Sequence, residues 1–143
     1  MITSLKSMLQ VAGVAAVALA AGAALAAEPP TGLPTGLWYD HTGRGAVEIV
    51  QCGDLLCGKV VWVKAGTNPK ACGIQILGNV KPVSKDTWDN GWIYDPENDA
   101  KYSVALTPVG AEALKVVGYM GTKFFSETMM WKRAPANLKR CGA

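Results

Sequence analysis

Residues 36–63, GLWYDHTGRGAVEIVQCGDLLCGKVVWV, decide the fold. Two runs in this stretch alternate apolar and polar side chains, with Val47 and Ile49 set against Glu48 in the first, and CGDLLCG lies between them. Alternation at period two marks a half-buried strand, and a short Gly/Asp connection between two such runs reads as a hairpin. The same pattern continues along the chain. It predicts strands at 36–39, 45–51, 58–64, 75–83, 87–94, 101–107, 113–119 and 123–133, with turn chemistry at HTGRG, DNG, DPENDA and PVGAEA. In KYSVALT, for instance, Tyr102, Val104 and Leu106 fall on one face. Connections this short join only antiparallel neighbours. The expected architecture is all-β, an eight-stranded antiparallel up-and-down barrel, because closure hides the sheet edges that no helix covers. A two-sheet sandwich is the alternative.

The first 26 residues read as an export signal. Lys6 supplies the early positive charge, a small apolar run extends from Val11 to Ala27, and Ala24-Leu25-Ala26 matches the signal peptidase pattern. The run is too short and too rich in alanine and glycine to anchor the chain in a bilayer, and it stops at Pro29 and Pro30. The expected organisation is a signal peptide over 1–26, a proline-rich lead-in over 27–35, a barrel domain over 36–134 and a C-terminal tail over 135–143. The expected location is periplasmic, with no membrane span after cleavage. The net charge of +3 comes from 14 basic and 11 acidic residues. They are interspersed along the chain, so the electrostatic footprint of a nucleic-acid partner is missing.

All four cysteines, Cys52, Cys57, Cys72 and Cys141, follow the signal. In an oxidising compartment an even count reads as two disulfides, with three pairings open. The four residues between Cys52 and Cys57 suit a hairpin that brings the two cysteines opposite each other, which favours Cys52–Cys57 and leaves Cys72–Cys141. Spacing of C-x4-C and a single histidine make a poor redox or zinc set. That histidine, His41, sits in the turn YDHTGRG beside Asp40 and Arg44, where a general base is conceivable but a solvated turn residue is the simpler reading. DPENDA offers alternate oxygens at 95, 97 and 99, yet lacks the glycine and the terminal glutamate of a calcium loop; hairpin chemistry accounts for it better. No catalytic residue, metal or cofactor is assigned.

Five Trp and four Tyr are a heavy aromatic load. Core packing is the first explanation, since an eight-stranded barrel has an interior that side chains just fill. A ligand-lined mouth is the second, and strand parity then nominates Val60 and Trp62, with Tyr102, Val104 and Leu106, as its walls.

A first strand opening Gly36-Leu37-Trp38 and a last strand ending Trp131-Lys132-Arg133 resemble the calycins, the superfamily of lipocalins and fatty-acid-binding proteins. The resemblance implies that Trp38 packs under Arg133 and closes one end of the barrel. More closely, GLWYDHTGRGAVEI, CGDLLCGKVVWVK, CGIQILG, WDNGWIYDPENDAKYS and VVGYMGTKFF with WKR are similar to an exported bacterial family labelled domain of unknown function 2147. The analogy implies a periplasmic barrel binding a small hydrophobic or amphipathic molecule. The alternative is a filled barrel that acts through its surface on an envelope protein.

Overall fold

The computed structural model describes residues 32–142 together with 13 and 15. The export signal and most of the lead-in lie outside the described residues. Eight strands follow in order: β1 Gly36–Tyr39, β2 Gly45–Cys52, β3 Leu55–Val63, β4 Gln75–Pro82, β5 Trp88–Asp95, β6 Ala100–Val109, β7 Ala113–Met120 and β8 Thr122–Arg133. Each pairs antiparallel with the next, and β8 returns to β1, so the sheet closes into an up-and-down barrel. Among the described residues no helix is long and apolar enough to cross a membrane.

The closing ladder is short because its two strands differ in length. β1 has four residues and β8 has twelve. They pair only at Trp38↔Arg133 and Tyr39↔Lys132. Above Tyr39 the chain turns away into the β1–β2 loop, so the upper part of β8 is paired with β7 alone. One end of the barrel is therefore sealed and the other stays parted.

At the sealed end the alternating residues meet. Trp38, Ile49, Leu56, Leu106 and Leu114 are fully buried in one cluster. The Trp38 indole donates to the Pro34 carbonyl at 2.8 Å, satisfying the one polar atom its burial would otherwise strand. The Arg133 guanidinium lies 3.7 Å above the same ring. It donates to the carbonyls of Thr35 at 2.8 Å and Ala111 at 3.0 Å. One side chain thus ties the start of β1, the end of β8 and the β6–β7 turn. Burial pulls the Arg133 pKa down from its ordinary value. The Trp38 and Arg133 pairing implied by the family resemblance is present.

Two sequence readings need correction. The connection between β2 and β3 is the two-residue turn Gly53-Asp54, with Gly53 at φ 67, and Cys52 pairs with Leu55 while Cys57 pairs with Val50. The cysteines are diagonal neighbours rather than opposite ones, and the disulfide forms across the diagonal with Cα atoms 5.9 Å apart. Second, β3 carries a bulge: Ala46 pairs with Trp62 and Val47 with Val60, which leaves Val61 as an extra residue. A bulge breaks the period-two rule. Val60 points inward, but Trp62 turns outward and meets Tyr39 edge to face at 5.6 Å.

The C-terminal tail is a strap. The Ala134 amide donates to the Leu37 carbonyl at 2.9 Å and the Cys141 amide to the Val61 carbonyl at 2.8 Å. Leu138 and Ala134 cover Leu37, Val61 and Tyr39 in a second small apolar cluster on the outside of the sheet. Arg140 grips both oxygens of Glu48 at 2.5 and 2.6 Å, and these bonds hold the Glu48 carboxyl below its usual range. Cys72–Cys141 ends the strap. With a sequence separation of 69, its loop-closure contribution is about 4 kcal/mol, against about 2 kcal/mol for the tight Cys52–Cys57 ring.

Candidate functional site

The loops β1–β2, β3–β4, β5–β6 and β7–β8 all lie at the parted end. Between them opens a cavity of ≈ 840 Å³. Its wall is apolar: Val47, Val60, Ile76, Ile93, Met129 and the ring of Trp131. Tyr102 adds the aromatic side of a phenol. Each of these comes from an inward position of its strand, as the pairings Val47↔Val60 and Ile93↔Tyr102 show. Gly118 leaves a gap in β7, since a Cβ there would stand 3.9 Å from Ile93 and 4.0 Å from Met129. The Trp131 Nε1–H is buried without a hydrogen-bond partner among the described residues. The floor of the cavity thus contains an unused donor.

The rim is polar and built from turns. Asp40 accepts from the Thr42 amide at 2.9 Å and its hydroxyl at 2.6 Å. Asp95 accepts from the Glu97 amide at 2.9 Å and the Asn98 side chain at 2.7 Å. These are side-chain-closed turns of the kind Asx residues favour. Arg44 reaches across from β1–β2 to Glu97 on β5–β6 at 3.1 Å, joining two loops over the opening. His41 is exposed on the same rim.

The β7–β8 hairpin forms the lip. Its ladder runs to Tyr119↔Ser126, then shifts, and Met120 pairs with Thr122. The residues between carry Phe124 and Phe125, which are 87% and 68% exposed. A clamp on the outer face steadies this hairpin. Asp89 of β5 is buried; Tyr119 donates to one of its oxygens at 2.6 Å and Lys123 pairs with the other. Burial pushes the Asp89 carboxyl up, but the hydrogen bonds from Lys123 and Tyr119 outweigh it and hold the carboxyl below its ordinary value. Burial and then the Asp89 carboxylate push the Tyr119 phenol up to about 12.

Of the residues nominated from sequence, the structure places Val60 and Tyr102 on the cavity wall. Val104 and Leu106 lie deeper, fully buried in the packed half. Trp62 is on the outside, in a shallow groove with Tyr39, Lys64 and Met130. The expectation of an interior filled throughout holds for the sealed half only. Sequence reasoning missed Ile76, Ile93, Met129 and Trp131, although their inward parity was available. It also missed the lip, for which FF was the signal: adjacent residues of a strand point to opposite faces, so both cannot enter one core.

A family model described as "Uncharacterized protein conserved in bacteria (DUF2147)" matches residues 36–133. No curated protein matches. Among solved structures the chain is similar to one titled "Protein HP1028 from the human pathogen Helicobacter pylori belongs to the lipocalin family". The TM-score is 0.60 at 17% identity, over 73% of this chain and 85% of that one. At that identity the likeness concerns the fold, which is lipocalin-like.

Proposed function

We propose, for a chain that belongs to the bacterial family DUF2147, that it is a periplasmic binding protein holding a small hydrophobic or amphipathic molecule in the mouth of its barrel. The observation that carries this reading is the ≈ 840 Å³ cavity, apolar in its wall and polar at its rim. Its size lies within the usual range of small-molecule sites. The reading is of binding without turnover, since the rim carboxylates Asp40 and Asp95 are engaged in closing turns. The export pattern of residues 1–26 and the two disulfides support the periplasm, where such bonds persist.

Native mass spectrometry of protein released gently from the periplasm tests this. The expected spectrum shows an added small mass that denaturation releases. Gly118→Leu, which grows a side chain into the gap beside Ile93 and Met129, removes that mass, and Trp62→Ala keeps it. Bare protein in every preparation, or an adduct that survives Gly118→Leu, overturns the reading. A second reading, an envelope accessory acting through its surface, draws on the exposed Phe124 and Phe125. It is favoured instead if cross-linking from the lip captures one envelope protein and no small mass is found.

A further inference from the structure

The rim carries a charge and an aromatic content that binding of a merely greasy molecule does not require. The chain as a whole is basic, at +3. The residues lining the cavity nevertheless include four carboxylates, Asp40, Asp95, Glu97 and Glu127, against one arginine and, among the described residues, no lysine. Arg44 is engaged by Glu97. Lys123, the nearest lysine along the lip, is engaged by Asp89. The mouth is thus locally acidic in a basic protein. In the same lining the rings of Phe124 and Phe125 stand nearly perpendicular, at 87° with centroids 5.2 Å apart. Both line the cavity while remaining largely exposed.

Phenyl faces set next to carboxylates are a receptor for organic cations, because the ring quadrupole attracts a positive group that is too bulky or too weakly hydrated to demand hydrogen bonds. With Arg44 and Glu97 neutralising each other, an anionic head group would meet three further carboxylates, Asp40, Asp95 and Glu127, and no free arginine in the lining. A neutral one would leave the excess charge unanswered. We propose that the cavity takes a cationic amphiphile, with its apolar chain among Val60, Ile93 and Met129 and its ammonium group at the rim between Phe124, Phe125 and Glu127. The assignment rests on the binding reading above and adds the charge of the ligand. Glu127 pairs with Gly118 in the β7–β8 ladder, so it shares the inward face of the gap that the chain would enter.

Three probes with the same twelve-carbon chain, dodecyltrimethylammonium, dodecyl sulfate and dodecyl maltoside, are titrated into the full secreted chain below their micellar concentrations, with calorimetry as the readout. The ammonium probe is expected to bind about tenfold tighter than the sulfate, the sum of a few weak carboxylate and ring contacts. Glu127→Lys and the double variant Phe124→Ala with Phe125→Ala each lower ammonium affinity several-fold more than they lower maltoside affinity. All three positions are exposed, so unchanged melting temperatures will accompany these losses. Sulfate binding as tight as ammonium, or no response to Glu127→Lys, overturns the head-group assignment while the cavity stands. Failure of all three probes to bind brings down the cavity reading together with it.

Discussion

The two ends of this barrel are made from the same eight strands and behave as different materials. At the sealed end, β1 and β8 are zipped and Trp38 is stacked under Arg133 with its indole N–H satisfied. At the parted end β8 runs on beyond β1, the interior is hollow, and the Trp131 N–H is unused. The contrast teaches that strand length, rather than side-chain chemistry alone, divides the barrel into a half that holds the fold and a half that is left hollow. A ladder of two pairs suffices to close the sheet because Arg133 adds three further attachments at the same point.

Mutations from one end to the other should show a falling gradient of stability cost. The largest effect is expected from Trp38→Ala, which empties the sealed end and removes the stack, at about 3–5 kcal/mol. Urea unfolding followed by far-UV circular dichroism measures it. A loss under about 1 kcal/mol would erase the distinction between the ends, since truncating a large core side chain to alanine ordinarily costs about 2 kcal/mol or more.

The clamp midway up the wall comes next. Asp89→Ala leaves the Tyr119 hydroxyl without its buried acceptor and Lys123 without its partner, a cost of about 1–3 kcal/mol. The clamp also has two pH edges. The Asp89 pKa is depressed in the folded state, so its contribution is present above the unfolded value and is lost as acid takes the solution below about pH 4. The Tyr119 pKa is raised to about 12. Its contribution is intact below the unfolded value of about 10 and disappears as the pH climbs from there towards 12. Stability profiles of the wild type and of Tyr119→Phe should therefore separate least above pH 12. Profiles that stay parallel through the alkaline edge contradict the clamp.

The smallest effect belongs to the lip. Phe124→Ser with Phe125→Ser should change the unfolding free energy by no more than about 0.5 kcal/mol, as for other exposed positions. If melting shifts by several degrees instead, the lip is part of the structural half and the contrast is drawn in the wrong place.

Much of the fold was legible in the sequence. All eight strands appear within three residues of their expected bounds, because alternation and Gly/Asn/Asp turns are local signals. The β3 bulge was not legible: Val61 looks like any other strand valine, and one extra residue reversed the face of Trp62. Cys57 misled for a related reason, since turn length alone sets the hairpin register and Gly53 allowed a tighter turn than the cysteine spacing suggested. Asp89 is the first residue of DNG, which reads as turn chemistry. Its burial depends on Tyr119 and Lys123, thirty and more residues away. The cavity was half legible, with Val60 and Tyr102 found and Val104 and Leu106 placed too high, because parity gives the face of a residue and not its depth.

Xenon diffraction tests the division of the barrel most directly, since the gas marks dry apolar space large enough to hold it. Crystals pressurised with xenon should show density among Ile93, Tyr102 and Met129, and none among Trp38, Leu106 and Leu114. Side chains collapsed into the upper half with no xenon there, or xenon at the Trp38 end, would contradict the account.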